Sequence, residues 1–138
     1  MIQVKALDVI TTELMVAGKS KQALPIIEKI QAIALQLTDA GEYTQALRVT
    51  HSIPDDSIQS KTIHAIAPYL TTPTEHEQAI QVAKTITDYE QKAKALDAIV
   101  RRLVATGNDK RAVQIAQTIQ SYYGGKNQAM ATIERYKN

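Results

Sequence analysis

The feature that most constrains the fold is one short segment that occurs four times along the chain. Its pattern is Ala, an aliphatic residue, any residue, an aliphatic residue, a small or aliphatic residue, any two residues, and Ile; the copies occupy residues 23–30, 46–53, 79–86 and 112–119. The apolar positions fall at i, i+1, i+3, i+4 and i+7, which is one stripe of an α-helix and not the alternation of a strand. The repetition predicts four amphipathic helices of one kind, the second-type helices, with Ala46, Ala79 and Ala112 where paired helices cross closely.

A glycine stands five residues before the leading alanine in three copies, at Gly18, Gly41 and Gly107, and Thr74 stands there in the fourth. Glycine takes the left-handed conformation that ends a helix, so a different helix precedes each turn. These first-type helices share apolar residues at i, i+3 and i+7: Leu7, Ile10 and Leu14; Ile63, Ile66 and Leu70; Leu96, Ile99 and Leu103. Each unit is therefore predicted to be a hairpin of two helices.

The spacing of the copies identifies one irregular unit. The later copies are 33 residues apart, as expected of a two-helix solenoid repeat, whereas the first step is 23 residues. The missing turn predicts one fused helix over about residues 21–40, with Ser20 as its N-cap and Pro25 about one turn in. A helix of that length spans about 30 Å, so the first hairpin is expected to project and its apolar stripe to support a homodimer, side by side or domain-swapped.

Turn residues mark the other boundaries. Residues 54–56 precede a helix expected to run to about Leu70, residues 72–74 break the next hairpin with a threonine cap, and residues 122–125 form the last turn. A further first-type helix is expected to contain Ala129, Met130 and Ile133. The chain has 19 alanines against nine glycines and prolines together, which favours helices over a β-fold. We predict a single all-α domain over residues 1–138 with eight or nine helices. The same pattern would also be expected of a fragment of a longer array.

The pattern of glycine, four residues and alanine, seen in residues 41–46 and 107–112, resembles the second half of a tetratricopeptide repeat. The likeness covers the whole chain in divergent form, because the period is 33 residues and the chain has no tryptophan or phenylalanine. The resemblance implies a right-handed α-solenoid of antiparallel helix pairs that binds proteins on a concave face lined by first-type helices. The peptide-carboxylate clamp of that family finds no residue-by-residue match here.

The resemblance places a set of polar residues on that concave face: Lys5, Asp8 and Thr12; Lys61, His64 and Pro68; Lys94, Asp97 and Arg101. The three lysines hold one register, and a row of them would meet an acidic peptide or a phosphate backbone. The alternative is that they are solvated charges paired with nearby acids such as Asp8 and Asp97. Tyr122 and Tyr123 would stack a base or anchor a partner loop, or else close an apolar gap at a turn.

Several classes of chemistry find no support in the sequence. Without cysteine there is no thiol nucleophile or zinc-thiolate site, and no nucleophile-elbow, phosphate-loop or dinucleotide motif occurs. His51, His64 and His76 fall on three different faces, with no i, i+4 pair for a metal. We therefore predict no enzyme, no cofactor and no metal site.

The predicted function is a non-enzymatic protein-protein interaction scaffold that binds a partner segment on the concave face or through its exposed ends. The alternative is a helical-repeat protein that binds single-stranded RNA, for which a net charge of +2 is small. No apolar stretch is long enough for a membrane span and no signal peptide opens the chain, so a cytoplasmic location is expected.

Overall fold

A computed structural model of the chain describes the backbone of residues 2–123 and the side chains of residues 4–119. Over that part the fold consists of seven α-helices and one 3-10 turn at Ala67–Tyr69. The helices are α1 (Ile2–Val16), α2 (Ser20–Asp39), α3 (Tyr43–His51), α4 (Asp56–Ile66), α5 (Pro73–Lys84), α6 (Tyr89–Ala105) and α7 (Asp109–Tyr123).

The helical class predicted from the sequence is confirmed, because residues 2–123 contain no strand. Seven helices are fewer than the eight or nine predicted, and the expected last helix with Ala129, Met130 and Ile133 lies outside the described residues. At Tyr122 and Tyr123 the predicted turn over residues 122–125 is wrong, because both residues belong to α7; residues 124 and 125 lie outside the described residues.

Three interhelical turns are made by the predicted glycines. Gly18, Gly41 and Gly107 have φ of +75°, +77° and +81°, in the left-handed region that glycine enters without steric cost. The amide after each glycine closes the turn; that of Asn108, for example, donates to the carbonyl of Leu103 at 2.7 Å. This bond is the hallmark of the Schellman ending, which satisfies a carbonyl that the helix itself leaves unpaired.

The fused helix predicted over residues 21–40 is confirmed as α2, which continues through Pro25. The predicted N-cap is wrong. Lys19 precedes the helix without a side-chain cap and Ser20 is its first residue, because the Gly18 turn leads directly into the helix and the Lys19 carbonyl already accepts from Ala23.

The helix expected to reach Leu70 ends four residues earlier. Asp55 caps its start by accepting from the amide of Ile58 at 2.8 Å, as the break at residues 54–56 predicts. α4 then stops at Ile66 and the chain tightens into the 3-10 turn that contains Pro68. Proline lacks the amide hydrogen that would continue the α-helical pattern, which accounts for the change.

The repeated positions form the core. The second-type alanines are fully buried, and the three apolar positions in each of the later first-type helices are buried as well: Ala23, Ala46, Ala79 and Ala112; Ile63, Ile66 and Leu70; Leu96, Ile99 and Leu103. Ile10 departs from the pattern with 44% of its surface exposed. α1 packs mainly against α2, so only the side carrying Val4, Leu7 and Leu14 is covered.

The helices contact one another in a regular order. α2 packs against α1, α3 and α4; α4 packs against α6; α3 packs against α5; and α6 packs against α7. The apolar stripe of α2 expected to face a partner is therefore buried within the chain, with Ala23, Ile30 and Ala34 at 0% exposure. The predicted homodimer through the first hairpin stays a prediction.

Candidate partner-binding surfaces

Polar contacts fix α4 beside α6. The Ser60 hydroxyl donates to the Gln91 carbonyl at 3.0 Å. Asp56 accepts through one carboxylate oxygen from the Thr87 hydroxyl at 2.9 Å and the Asp88 amide at 3.0 Å. Asp88 in turn caps α6, accepting from the Gln91 amide. The two first-type helices therefore start side by side, and residues 33 apart occupy equivalent places on them.

A pocket of about 270 Å³ lies between these two helices, and we call it the α4–α6 pocket. Its lining includes two of the residues predicted on the concave face, His64 and Arg101, and one that the sequence did not single out, Arg102. The full lining is His64, Pro68, Ala98, Arg101, Arg102 and Ala105. The pocket is thus lined by basic and small side chains and carries no acid among the described residues.

Arg102 is held in place from behind. Its Nε donates to the Leu70 carbonyl at 2.6 Å, and His76 Nε2 lies 3.3 Å from the same oxygen. His76 is buried with 1% exposure, so this anchor belongs to the interior. The remaining guanidinium nitrogens of Arg102 have no hydrogen-bond partner in the described part of the chain, and they are the donors that the pocket offers.

Arg101 and Lys94 have acidic partners on their own helix. Arg101 Nε lies 3.1 Å from Asp97, whose residue is only 8% exposed. Lys94 lies 3.4 Å from Glu90, with both side chains mostly in water. The Lys94–Glu90 pair is exposed on both sides and contributes little to stability, so a stronger ligand can replace it. The Arg101–Asp97 pair differs, because Asp97 is mostly buried and holds Arg101 from the side of the helix.

The other predicted site residues lie apart from this pocket. Lys61 is exposed on α4, and Lys5 and half-buried Asp8 lie on α1, which packs mainly against α2. Tyr122 and Tyr123 end α7, and their side chains lie outside the described residues. The alignment of the three lysines in one row stays a prediction.

A larger groove of about 730 Å³, the α3–α5 groove, lies between two second-type helices. α3 contributes Thr44, Leu47, Arg48 and His51, and α5 with its C-cap contributes Pro73, Thr74, Glu77, Gln78, Gln81, Val82 and Thr85. The sequence pattern did not predict this groove. α3 has nine residues and α5 has 12, so the shorter helix leaves part of the longer one uncovered.

Glu77 at the groove edge already has a partner. Arg111 on α7 binds it through two nitrogens, at 2.7 and 2.8 Å. These hydrogen bonds lower the pKa of Glu77 and raise that of Arg111, because they stabilise the charged form of each group. The basic residues of the groove, Arg48 and His51, lie on the opposite helix.

No family model, curated protein or solved structure matches this chain. The tetratricopeptide resemblance therefore stays a prediction. None of the helices within residues 2–123 has both the length and the apolar character needed to cross a membrane. In the same range no three His, Asp or Glu side chains come together as a metal site would require.

Proposed function

We propose that this chain is a non-enzymatic protein-interaction scaffold that binds an acidic segment of a partner across α4 and α6. The observation that carries the proposal is the α4–α6 pocket, where His64, Arg101 and Arg102 meet without an acid in the lining. A guanidinium binds a carboxylate through two parallel hydrogen bonds, and Arg102 is already fixed by the Leu70 carbonyl. Little side-chain entropy is then lost when the partner binds.

The size of the pocket favours a side chain over a whole small molecule. Its 270 Å³ is below the range of about 300–1,000 Å³ that is usual for ligand pockets. An Asp or Glu side chain fits such a space, while the rest of the segment lies along the neighbouring helix surfaces.

The architecture proposed for this function is a right-handed α-solenoid of antiparallel helix pairs. Supporting it, α2, α4 and α6 pack in series while α3 packs against α5, as two layers of a stacked array would. In such an array the first-type helices share one face, on which a segment can extend from one repeat to the next.

The test is selection of random 12-residue peptides on the intact chain, followed by fluorescence anisotropy of the enriched peptides with defined variants. Ala105→Trp fills the pocket from an exposed position, and Ala32→Trp places the same side chain at an exposed position on α2. We expect the enriched peptides to contain Asp or Glu. We expect Ala105→Trp to lower their binding affinity about 30-fold, which corresponds to the loss of one hot-spot contact of about 2 kcal/mol. Enrichment of peptides without acids, or equal binding by both tryptophan variants, would contradict the proposal.

Single-stranded RNA is the second candidate, since the same basic lining also suits a phosphate. A labelled random RNA pool, titrated at about 50 and 200 mM salt, separates the two, because several phosphate contacts weaken steeply with salt. Tight RNA binding that Ala105→Trp abolishes would replace the acidic peptide with RNA as the ligand. We favour the peptide because the pocket is too small for a nucleotide.

A further inference from the structure

The outer side of α1 is apolar and exposed. Val9, Ile10 and Val16 have 57%, 44% and 86% of their surfaces in water. They belong to a set of exposed residues at i, i+3, i+4, i+7, i+10 and i+11, which we call the outer stripe: Ala6, Val9, Ile10, Glu13, Val16 and Ala17. α1 is therefore apolar on two sides, whereas a helix at the end of a stacked array normally presents a polar outer side.

The α3–α5 groove has the dimensions that this stripe requires. The two ends of the stripe are 11 residues apart, or about 16 Å at 1.5 Å per residue. The α5 side of the groove has a similar length, because its lining runs from Pro73 to Thr85. Leu47 and Val82 form an apolar floor, and the exposed lining is mostly apolar. One chain thus carries both an exposed apolar ridge and an apolar groove of similar length.

The charges of the two surfaces are complementary. Glu13 is the only charged residue of the outer stripe. Arg48 and His51 line the α3 side of the groove and are exposed, while the acid of the opposite side, Glu77, is bound to Arg111. A helix lying in the groove with Glu13 toward α3 would bring opposite charges together. Packing two outer stripes against each other offers Glu13 no basic partner within the stripe.

We propose that α1 of one copy of this chain lies in the α3–α5 groove of a second copy, with Glu13 against Arg48. Because each chain carries both surfaces, each of two copies can place the outer stripe of its α1 in the groove of the other, while the inner side of α1 stays packed on its own α2. The two identical contacts close the assembly as a dimer. The contact leaves the α4–α6 pocket free, so it does not depend on the function proposed above.

The experiment reverses the two charges in separate chains. Glu13→Arg and Arg48→Glu each change an exposed residue, and circular dichroism verifies that the helices persist. Multi-angle light scattering and sedimentation equilibrium then follow the mass of the full chain up to about 1 mM, a concentration at which weak contacts are populated. We expect the unmodified chain to dimerise, and each variant alone to dimerise about a hundredfold more weakly because like charges face each other.

Mixing the two variants is the decisive step. In a mixed dimer the arginine introduced at position 13 of one variant faces the glutamate introduced at position 48 of the other. At the second contact the original Glu13 faces the original Arg48, so both contacts are matched. We expect the equimolar mixture to dimerise like the unmodified chain. Lys29→Glu and Glu28→Arg, which reverse exposed charges on α2 outside both surfaces, should leave the dimer unchanged.

Three results would overturn the proposal. The first is a monomer at every concentration. The second is a dimer that Glu13→Arg weakens and Arg48→Glu does not, which would point to contact between two α1 helices. The third is a mixture that stays as weakly associated as its separate components.

Discussion

Replacing Ala112 by leucine tests whether the repeated alanine is the point of closest helix approach. Ala112 lies on α7, which packs against α6, and none of its surface is exposed. Its equivalents Ala46 and Ala79 are buried to the same degree, and all three belong to one core cluster with Leu96 and Ile99. Because Ala112 is enclosed by the core, we expect a leucine there to displace helices or adopt poor rotamers. Overpacking of this kind costs about 1–3 kcal/mol.

Urea denaturation followed by circular dichroism measures this cost. With an m-value of about 2 kcal/mol/M, a loss of about 1–3 kcal/mol lowers the denaturation midpoint by about 0.5–1.5 M. The m-value itself should stay constant, because the substitution changes the packing of the folded state and not the surface exposed on unfolding.

Ala32→Leu is the matched control. Ala32 lies within α2 but is exposed, so the same change of side chain there should alter stability by less than about 0.5 kcal/mol. An Ala112→Leu midpoint equal to that of the unmodified chain would refute the assignment of Ala112 to the helix crossing. Equal losses in both variants would refute it as well, since the cost would then not depend on burial.

Three further predictions concern turns, caps and charge. Gly107→Ala should destabilise the chain by about 1–2 kcal/mol in the same assay, because φ at this position is +81°. No atom lies within 4 Å of the added Cβ, so the cost comes from the backbone conformation alone. An unchanged denaturation midpoint would contradict this prediction. Thr72→Ala should cost about 1 kcal/mol by removing a capping box with Glu75, whereas Thr72→Ser should retain most of the stability. Glu77 has a lowered pKa in the folded chain, so its contribution is present above the usual glutamate pKa of about 4.3 and is lost as the pH falls through the lower, folded value. Arg111→Met should reduce this loss of unfolding free energy at low pH by less than about 1 kcal/mol, because the Glu77–Arg111 pair is partly exposed and screened. If the variant loses stability as steeply with falling pH as the unmodified chain, Glu77 is not the source of the loss.

The parts of the fold that the sequence predicted depend on local physics. Gly107 is at a turn because only glycine enters the left-handed region without cost, and this holds whatever surrounds it. Helical periodicity likewise determines that Ala79 and Ile86 share a buried side. The absence of Gly and Pro after Pro25 was enough to predict one long helix at α2.

The parts that it did not predict depend on neighbours distant in sequence. Ser20 has the right side chain for an N-cap, but the Gly18 turn sets where α2 begins. Arg102 differs little from Arg101 in the sequence, and its hydrogen bond to the Leu70 carbonyl, 32 residues away, depends on how α6 packs beside the 3-10 turn. Ile10 has the inward spacing of a first-type helix, yet no helix within the described residues covers its side of α1.

The outer stripe of the proposed dimer has its origin in the shortened first step. α2 packs against α1 and also against α3 and α4. One helix thus does the packing that two separate helices would do in a regular repeat. α1 then lacks a second helix, within the described part of the chain, to cover its outer stripe. α3 has nine residues and ends at His51, five residues after Ala46, as α5 ends at Lys84, five residues after Ala79. The groove between α3 and α5 therefore belongs to the regular part of the repeat. The irregularity of 10 residues in the spacing exposes the apolar ridge of α1, and burying that ridge in the groove of a second copy restores the covering that a regular repeat would have provided.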